Sequence, residues 1–190
     1  MRGGLVAAVA GSGAIVWAAV AFVSRLGIQQ GYAPEQPIAF PHKVHAGDYR
    51  IPCLYCHYGA RTSRHAGVPS ASVCMNCHAL VEKQTVEIEK LKEAVQMNRP
   101  VAWVKVHNLP DFVYFNHSQH VLSGVDCRRC HGPVETMDRI QQMAPLTMGW
   151  CIDCHRAHAH VPGTGFQRAA LMLENEPKPT SGLDCSSCHY

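Results

Sequence analysis

The chain has 190 residues, 17 Lys and Arg against 14 Asp and Glu, and a formal net charge of +3. That length allows one domain or two small ones, and so mild a positive balance, without clustered basic runs, excludes nucleic acid as the expected partner. The unusual component is ten cysteines and 13 histidines.

The first element is Leu5–Val23, 19 residues without a charged side chain, with Arg2 ahead of it and Ser24-Arg25 behind. At a helical rise of about 1.5 Å per residue it would cover about 28 Å, close to the hydrocarbon thickness of a bilayer. Trp17 and the small residues Gly11 and Gly13 suit a helix packed against other membrane helices. A cleaved signal peptide is the rival reading, since Ala8-Val9-Ala10 loosely resembles a cleavage site, but the apolar run is longer than a usual signal core. The expectation is an uncleaved signal anchor over residues 1–26, crossing the cytoplasmic membrane once. Arg2 then stays inside, and residues 27–190 form one domain on the periplasmic, outer face.

A polar linker, roughly Gly27–Pro37, leads into an internal repeat. Phe40-Pro41-His42-Lys43-Val44-His45 precedes Cys53, and Phe115-Asn116-His117-Ser118-Gln119-His120 precedes Cys127. Each is a Phe-x-His-x-x-His element followed by two Cys-x-x-Cys-His motifs, so residues 40–78 and 115–155 read as two copies of one unit. Between them Val81–Met97 has helical periodicity, with Glu89, Lys90, Lys92 and Glu93 on a solvated side and Asn98-Arg99-Pro100 as a stop. Pro133 is expected to open a short helix over Val134–Met143 that Pro145 ends. The turn-rich stretch 176–182 leads to a fifth motif at 185–189.

The five motifs are Cys53-x-x-Cys56-His57, Cys74-x-x-Cys77-His78, Cys127-x-x-Cys130-His131, Cys151-x-x-Cys154-His155 and Cys185-x-x-Cys188-His189. They use every cysteine in the chain. This spacing is that of c-type haem attachment: two thiols add across the haem vinyl groups and the next His is the proximal iron ligand. Zinc sites or disulfides are the bland alternative, but neither requires a His directly after every second Cys. Five haem c are therefore expected, and their propionates would turn the net charge negative. With that many macrocycles the haems replace a protein core, so the predicted fold is mainly α with extensive loops and little or no sheet.

Five irons need five distal ligands. His at i and i+3 share a helical face yet diverge enough to serve two irons, which makes His42, His45, His117 and His120 the expected distal ligands. For the fifth position the open choices are His107, His65, Met137 and Met148, and His107 could instead hydrogen-bond a propionate. His158 and His160 read as solvent histidines and each Met as core filler. Mostly bis-His haems are expected, with at most one Met/His. No catalytic triad, phosphate loop or other catalytic cluster is legible, and there are more ligand candidates than irons. The chain is therefore read as a carrier of electrons rather than an enzyme.

The Phe-x-His-x-x-His elements resemble those of class III multihaem cytochromes. Over most of residues 40–156, in FPHKVHAG, IPCLYCHYGA, SRHAGVPS, VHNLPDFVYFNHSQHVLSGVDCRRCHGPVETMDRI and LTMGWCIDCHR, with the terminal CSSCH, the chain is similar to the pentahaem cytochrome c subunit of alternative complex III. That resemblance implies a quinol-oxidising membrane complex. Its other subunits would be an iron–sulfur protein, polytopic quinol-binding subunits and a monohaem cytochrome c, and this chain would be its wire to a periplasmic acceptor. The alternative, ranked second because the stretch from Arg25 to Phe40 has only Glu35 as a charged candidate beside a quinol, is a stand-alone anchored quinol dehydrogenase feeding a periplasmic reductase. A reductase with an open iron ranks third. The motif count is checked by intact-mass spectrometry: the purified protein should exceed its chain mass by five haem groups, and replacing Cys127 and Cys130 by Ala should remove one.

Overall fold

A computed structural model describes residues 2–23, 27–81, 85–158 and 184–189, with side chains of the first helix described from Ala10 onward. The helices are α1 Arg2–Val23, α2 Cys53–Cys56, α3 Ala71–His78, α4 Val86–Gln96, α5 His117–Leu122, α6 Arg128–His131, α7 Met148–His158 and α8 Cys185–Cys188. A π-helical turn, Lys43–Asp48, and 3-10 turns at Tyr58–Arg61 and Val134–Thr136 accompany them. Among the described residues β pairing is confined to one antiparallel bridge, Val113 with His189. The architecture is thus mainly helical, in short pieces joined by long loops.

Among the described residues the buried apolar side chains are Ile38, Ala60, Ile88, Leu91, Met137 and Ala144. A large side chain fully buried stabilises by roughly 1.5–3 kcal/mol. Fixing each residue's backbone costs about 1–2 kcal/mol. So small a core cannot order this chain unaided, and other cross-links must supply the difference.

Local order is set by caps. Thr85 is extended and its Oγ1 accepts from the Ile88 amide at 3.3 Å, starting α4, while Glu87 and Glu89 favour its positive end. Asn98 then turns left-handed at φ 48°, and the amides of Asn98 and Arg99 close back on Val95 and Ala94 in a Schellman motif. Ile88 and Leu91 are the buried face, as the periodicity predicts. The observed helix begins at Val86 rather than Val81, because Thr85 takes the capping conformation. Residues 82–84 lie outside the described residues.

α5 is held at both ends. Asn116 Oδ1 accepts from the Ser118 amide at 3.0 Å, and Gly124, at φ 78°, closes the C-terminus with bonds from Gly124 and Val125 to Val121 and His120. The carbonyls of Ser63 and Arg64 also receive the amides of Ser118 and His117. A six-residue helix is far too short to persist alone, so these caps explain why His117 and His120 keep a helical spacing.

The predicted helix over Val134–Met143 is a single 3-10 turn, Val134–Thr136, after which Met137 is extended at φ −94°, ψ 122°. The tertiary structure needs that backbone elsewhere: the Met137 carbonyl accepts from Lys43, and Gln142 exchanges backbone bonds with Gly31 and Tyr32 at 2.7 and 3.0 Å. The same turn packs on the π-helical turn, where a Cβ on Gly47 would collide with the Glu135 carbonyl.

Gln142, 1% exposed, is the polar pivot of this region. Its side-chain carbonyl accepts from Asn108 at 3.4 Å and its amide donates to Ala144 O at 3.1 Å. Gln36 makes a second clamp, donating to Val104 O at 3.0 Å and accepting from Val104 N at 2.8 Å. Together they fix the irregular stretch 104–108, which has no ladder of its own.

The apolar N-terminus is helical as α1. Ile15, Trp17 and Phe22 are each about 70% exposed, so its apolar surface runs round the helix rather than along one face. Among the described residues, no helix is long and apolar enough to cross a membrane.

Replacing Gln142 by Leu strips Asn108 and the backbone around Ala144 of their buried partner. It is expected to destabilise the holoprotein by about 1–3 kcal/mol, read as a lowered denaturant midpoint with an unchanged haem count.

Candidate haem-binding site

All ten cysteines are free thiols, half-buried or exposed, and none is in a disulfide. Among the described residues no three His, Cys, Asp or Glu side chains converge as a metal cage. The thiol pairs instead sit beside one another in a row. Burial pushes the Cys56 thiol up, with Cys53 and then Cys77 adding, and it raises Cys74, with Cys56 adding. Cys127 is raised by partial burial and then by its neighbour Cys53. Cys130 is pushed up to about 11 by burial, then by Cys154 and Cys151, and Cys151 is raised by burial, then by Cys188. Neighbouring thiols thus join the second motif to the first, the first to the third, the third to the fourth and the fourth to the fifth.

The histidines form pairs that the motif spacing alone does not define. His42 faces His57 with ring centroids 6.4 Å apart and planes 5° apart, and His117 faces His131 at 6.3 Å and 11°. His45 faces His78 at 6.1 Å and 57°, and His120 faces His155 at 6.0 Å and 71°. The two repeats thus reproduce each other: the first His of each element meets its partner nearly parallel, the second nearly crossed. Phe40 and Phe115 explain the likeness. Phe40 lies edge-on to His42 at 4.9 Å and nearly flat on His45 at 4.2 Å, and Phe115 does the same to His117 and His120 at 4.8 and 4.5 Å.

These separations fit an iron between the rings. A metal–imidazole bond is about 2 Å and the ring centroid lies about 1 Å behind its nitrogen, so two imidazoles sharing one metal stand roughly 6 Å apart. In four of these eight rings Nδ1 meets a backbone carbonyl. Nδ1 of His57 is 2.7 Å from Gly67 O, of His45 3.0 Å from Pro41 O, of His117 2.8 Å from Arg64 O and of His120 2.9 Å from Asn116 O. An Nδ1–H donated to a carbonyl leaves Nε2 as the lone pair for a metal.

Burial keeps several rings neutral, as a ligand must be. It pushes His42 down to about 4, with His57 and His45 adding, and His131 down to about 4, with His107, His117 and His57 adding. His78, His107 and His120 are lowered by the same cause. Three buried polar atoms have no protein partner: Nδ1 of His42, Nδ1 of His78 and Nε of Arg64. The Arg64 guanidinium lies 3.6 Å over the Tyr114 ring, beside the carbonyl that holds His117, where a haem propionate would satisfy it. The residues present fit haem c. The cysteine pairs would carry the thioethers and the facing imidazoles could hold the irons, and the group would supply reversible one-electron transfer.

The remaining proximal residue, His189, has Phe112 as a ring neighbour at 5.7 Å, and the Tyr114 amide bonds Cys188 O at 2.7 Å. His65 is exposed on the surface, and Met148 is 64% exposed. Met137 is buried against Gly132, whose φ of 73° a side chain would strain. It does not stand over the fourth motif, whose His155 faces His120. His107 sits behind His131, its Nε2 3.2 Å from His131 Nδ1. The His158 side chain and His160 lie outside the described residues. Sequence reasoning missed the two phenylalanine props and the glutamine clamps. The former were visible as an invariant position of the repeat; Gln36 and Gln142 carried no signal, since a buried Gln reads as a surface residue.

Haem-attachment motifs joined to facing imidazole pairs on a scaffold with almost no apolar core define a multihaem cytochrome c. The chain belongs to the family of multihaem cytochrome c subunits: residues 113–190 match cytochrome c7 and related cytochrome c, and over 158 residues the chain is 35% identical to the menaquinone reductase, multihaem cytochrome c subunit, of Nitratidesulfovibrio vulgaris strain Hildenborough. That alignment covers 82% of this chain and 68% of the relative. The protein is thus a multihaem cytochrome that transfers electrons, related to a quinone-reductase subunit.

Proposed function

We propose that the chain carries five covalently bound haem c as the electron wire of a membrane-bound quinol oxidoreductase of the alternative complex III type. The observation that carries this reading is the set of four imidazole pairs with centroids 6.0–6.4 Å apart, each joining a Phe-x-His-x-x-His residue to a different Cys-x-x-Cys-His residue. His57, His78, His131, His155 and His189 are the proximal ligands, and His42, His45, His117 and His120 the distal ligands of haems one to four. Because one Phe-x-His-x-x-His element reaches two irons, each element clamps two haems together. The row of thiols supports a wire running second haem, first, third, fourth, fifth.

α1 is its single anchor in the cytoplasmic membrane, with the haem domain on the periplasmic face. A helix apolar on all sides needs lipid or other helices around it. The partners are an iron–sulfur protein, polytopic quinol-binding subunits and a monohaem cytochrome, and the acceptor is periplasmic. A second reading is favoured by the relative, which is a menaquinone reductase subunit: the same wire would deliver electrons to the quinone pool instead of taking them from it. A chain of haems is indifferent to direction; the potentials of the terminal partners decide.

Two experiments test this. The near-parallel and crossed ring pairs should give two kinds of low-spin ferric EPR signal, an ordinary rhombic set and a set with much larger anisotropy. His42→Ala should remove one signal of the first kind and His45→Ala one of the second, each adding one high-spin haem; loss of two haems' signals in either variant contradicts the pairing. Gentle detergent extraction should co-purify an iron–sulfur protein with polytopic subunits, and anaerobic menaquinol should reduce the haems of that assembly. Recovery of the cytochrome alone, still reduced by quinol, would make it a stand-alone quinol dehydrogenase. Oxidation of its reduced haems by menaquinone would favour the reverse direction.

A further inference from the structure

His107 lies in the irregular stretch 104–108, far in sequence from any haem-attachment motif, yet its ring meets the ring of a proximal histidine. The two centroids are 4.3 Å apart with planes at 75°, and His107 Nε2 is 3.2 Å from His131 Nδ1. That spacing leaves no room for a haem iron held between the two rings from opposite faces, whereas His117 faces the same His131 at the roughly 6 Å that such a pair of axial imidazoles requires. His131 thus meets His107 through Nδ1 while its ring faces His117 across the wider gap.

The contact is built. Val104 is held in both directions by the Gln36 amide, and Asn108 by the buried Gln142 side chain. His107 stands between these clamps, so its ring is presented rather than merely nearby. His57, the proximal ligand of the neighbouring haem in the row, has a different arrangement. Its Nδ1 bonds the Gly67 carbonyl at 2.7 Å.

We propose that His107 is a positioning residue for the third haem: its Nε2 accepts the Nδ1–H of His131, fixes that ring and holds the potential of this one haem below what a peptide-carbonyl partner would give. The physical reason is ligand basicity. An imidazole nitrogen accepts a proton more strongly than an amide oxygen, so it draws the Nδ1 hydrogen further and increases imidazolate character at Nε2. A more basic ligand stabilises the ferric state, and outer-shell partners of this kind tune both ligand orientation and potential. With the third haem in the middle of the row, its potential sets the step between the two clamped haem pairs.

The inference rests on the haem-ligand reading above, and the test separates the two. Holoprotein carrying His107→Phe, which keeps ring volume and removes the acceptor, is titrated spectroelectrochemically beside the parent. One of the five redox steps should move to a more positive potential while the others stay, and every haem that was low-spin should remain so. His107→Gln, which restores an acceptor oxygen, should return that step part of the way. In the reduced, diamagnetic parent, NMR of 15N-histidine-labelled protein should show one Nδ1–H resonance shifted strongly downfield, a readout that needs no variant to fold. An unmoved set of potentials, or no such resonance, overturns the proposal, and so does a new high-spin haem in His107→Phe, which would make His107 an iron ligand. His131→Ala is the control: if it creates no high-spin haem, the ligand reading itself fails.

Discussion

The structure depends on pairs of imidazole rings held about 6 Å apart. With Ile38, Ala60, Ile88, Leu91, Met137 and Ala144 as the buried apolar set among the described residues, hydrophobic burial cannot organise the chain. Four ring pairs tie segments distant in sequence, and thioether bonds would tie the same segments through the macrocycles. Covalent and coordination bonds then carry the role that a core carries elsewhere, as in small domains ordered by metals. This explains why the helices are so short. α2, α6 and α8 consist of little more than an attachment motif, and each needs only to aim two thiols and one ring.

The repeat shows how little scaffold is needed. A single Phe, edge-on to one His and nearly flat on the next, sets both rings in each unit. The backbone beneath differs, a π-helical turn at Lys43–Asp48 and a capped α-helix at His117–Leu122, yet the ring geometry is the same within a few tenths of an ångström in separation. The two repeats share the ring geometry and not the helix type. π-turns are costly and are found mostly at functional sites, which fits this one.

Polar side chains do the remaining positioning. Gln36 and Gln142 pin a stretch that has neither helix nor strand, and through it they bring His107 to His131. The buried Gln142 amide is effective because leaving it unpaired costs more than pairing it gains. The result is a difference between neighbouring haem sites that share one motif. Nδ1 of His57 meets a carbonyl, and Nδ1 of His131 meets another imidazole. Equal motifs therefore need not mean equal potentials, and a wire with graded steps can be built from one repeated unit.

Much of the chemistry was legible in the residues themselves. The attachment motif is local, five consecutive positions carrying both thiols and the proximal ring, so no folding information is needed to read it. The histidines that face the motif rings were legible in the sequence because their element is repeated ahead of each motif pair. The helix over Val134–Met143 was not, because long-range backbone bonds to Lys43, Gly31 and Tyr32 outweigh the local signal of Pro133. Nor was the place of His107, whose chemistry suits an iron ligand as well as a hydrogen-bond acceptor. Sequence alone determined the haem class and the repeat. Only the tertiary structure decided which ring faces which and that His107 meets His131, since those depend on where loops with no pattern of their own bring distant residues together.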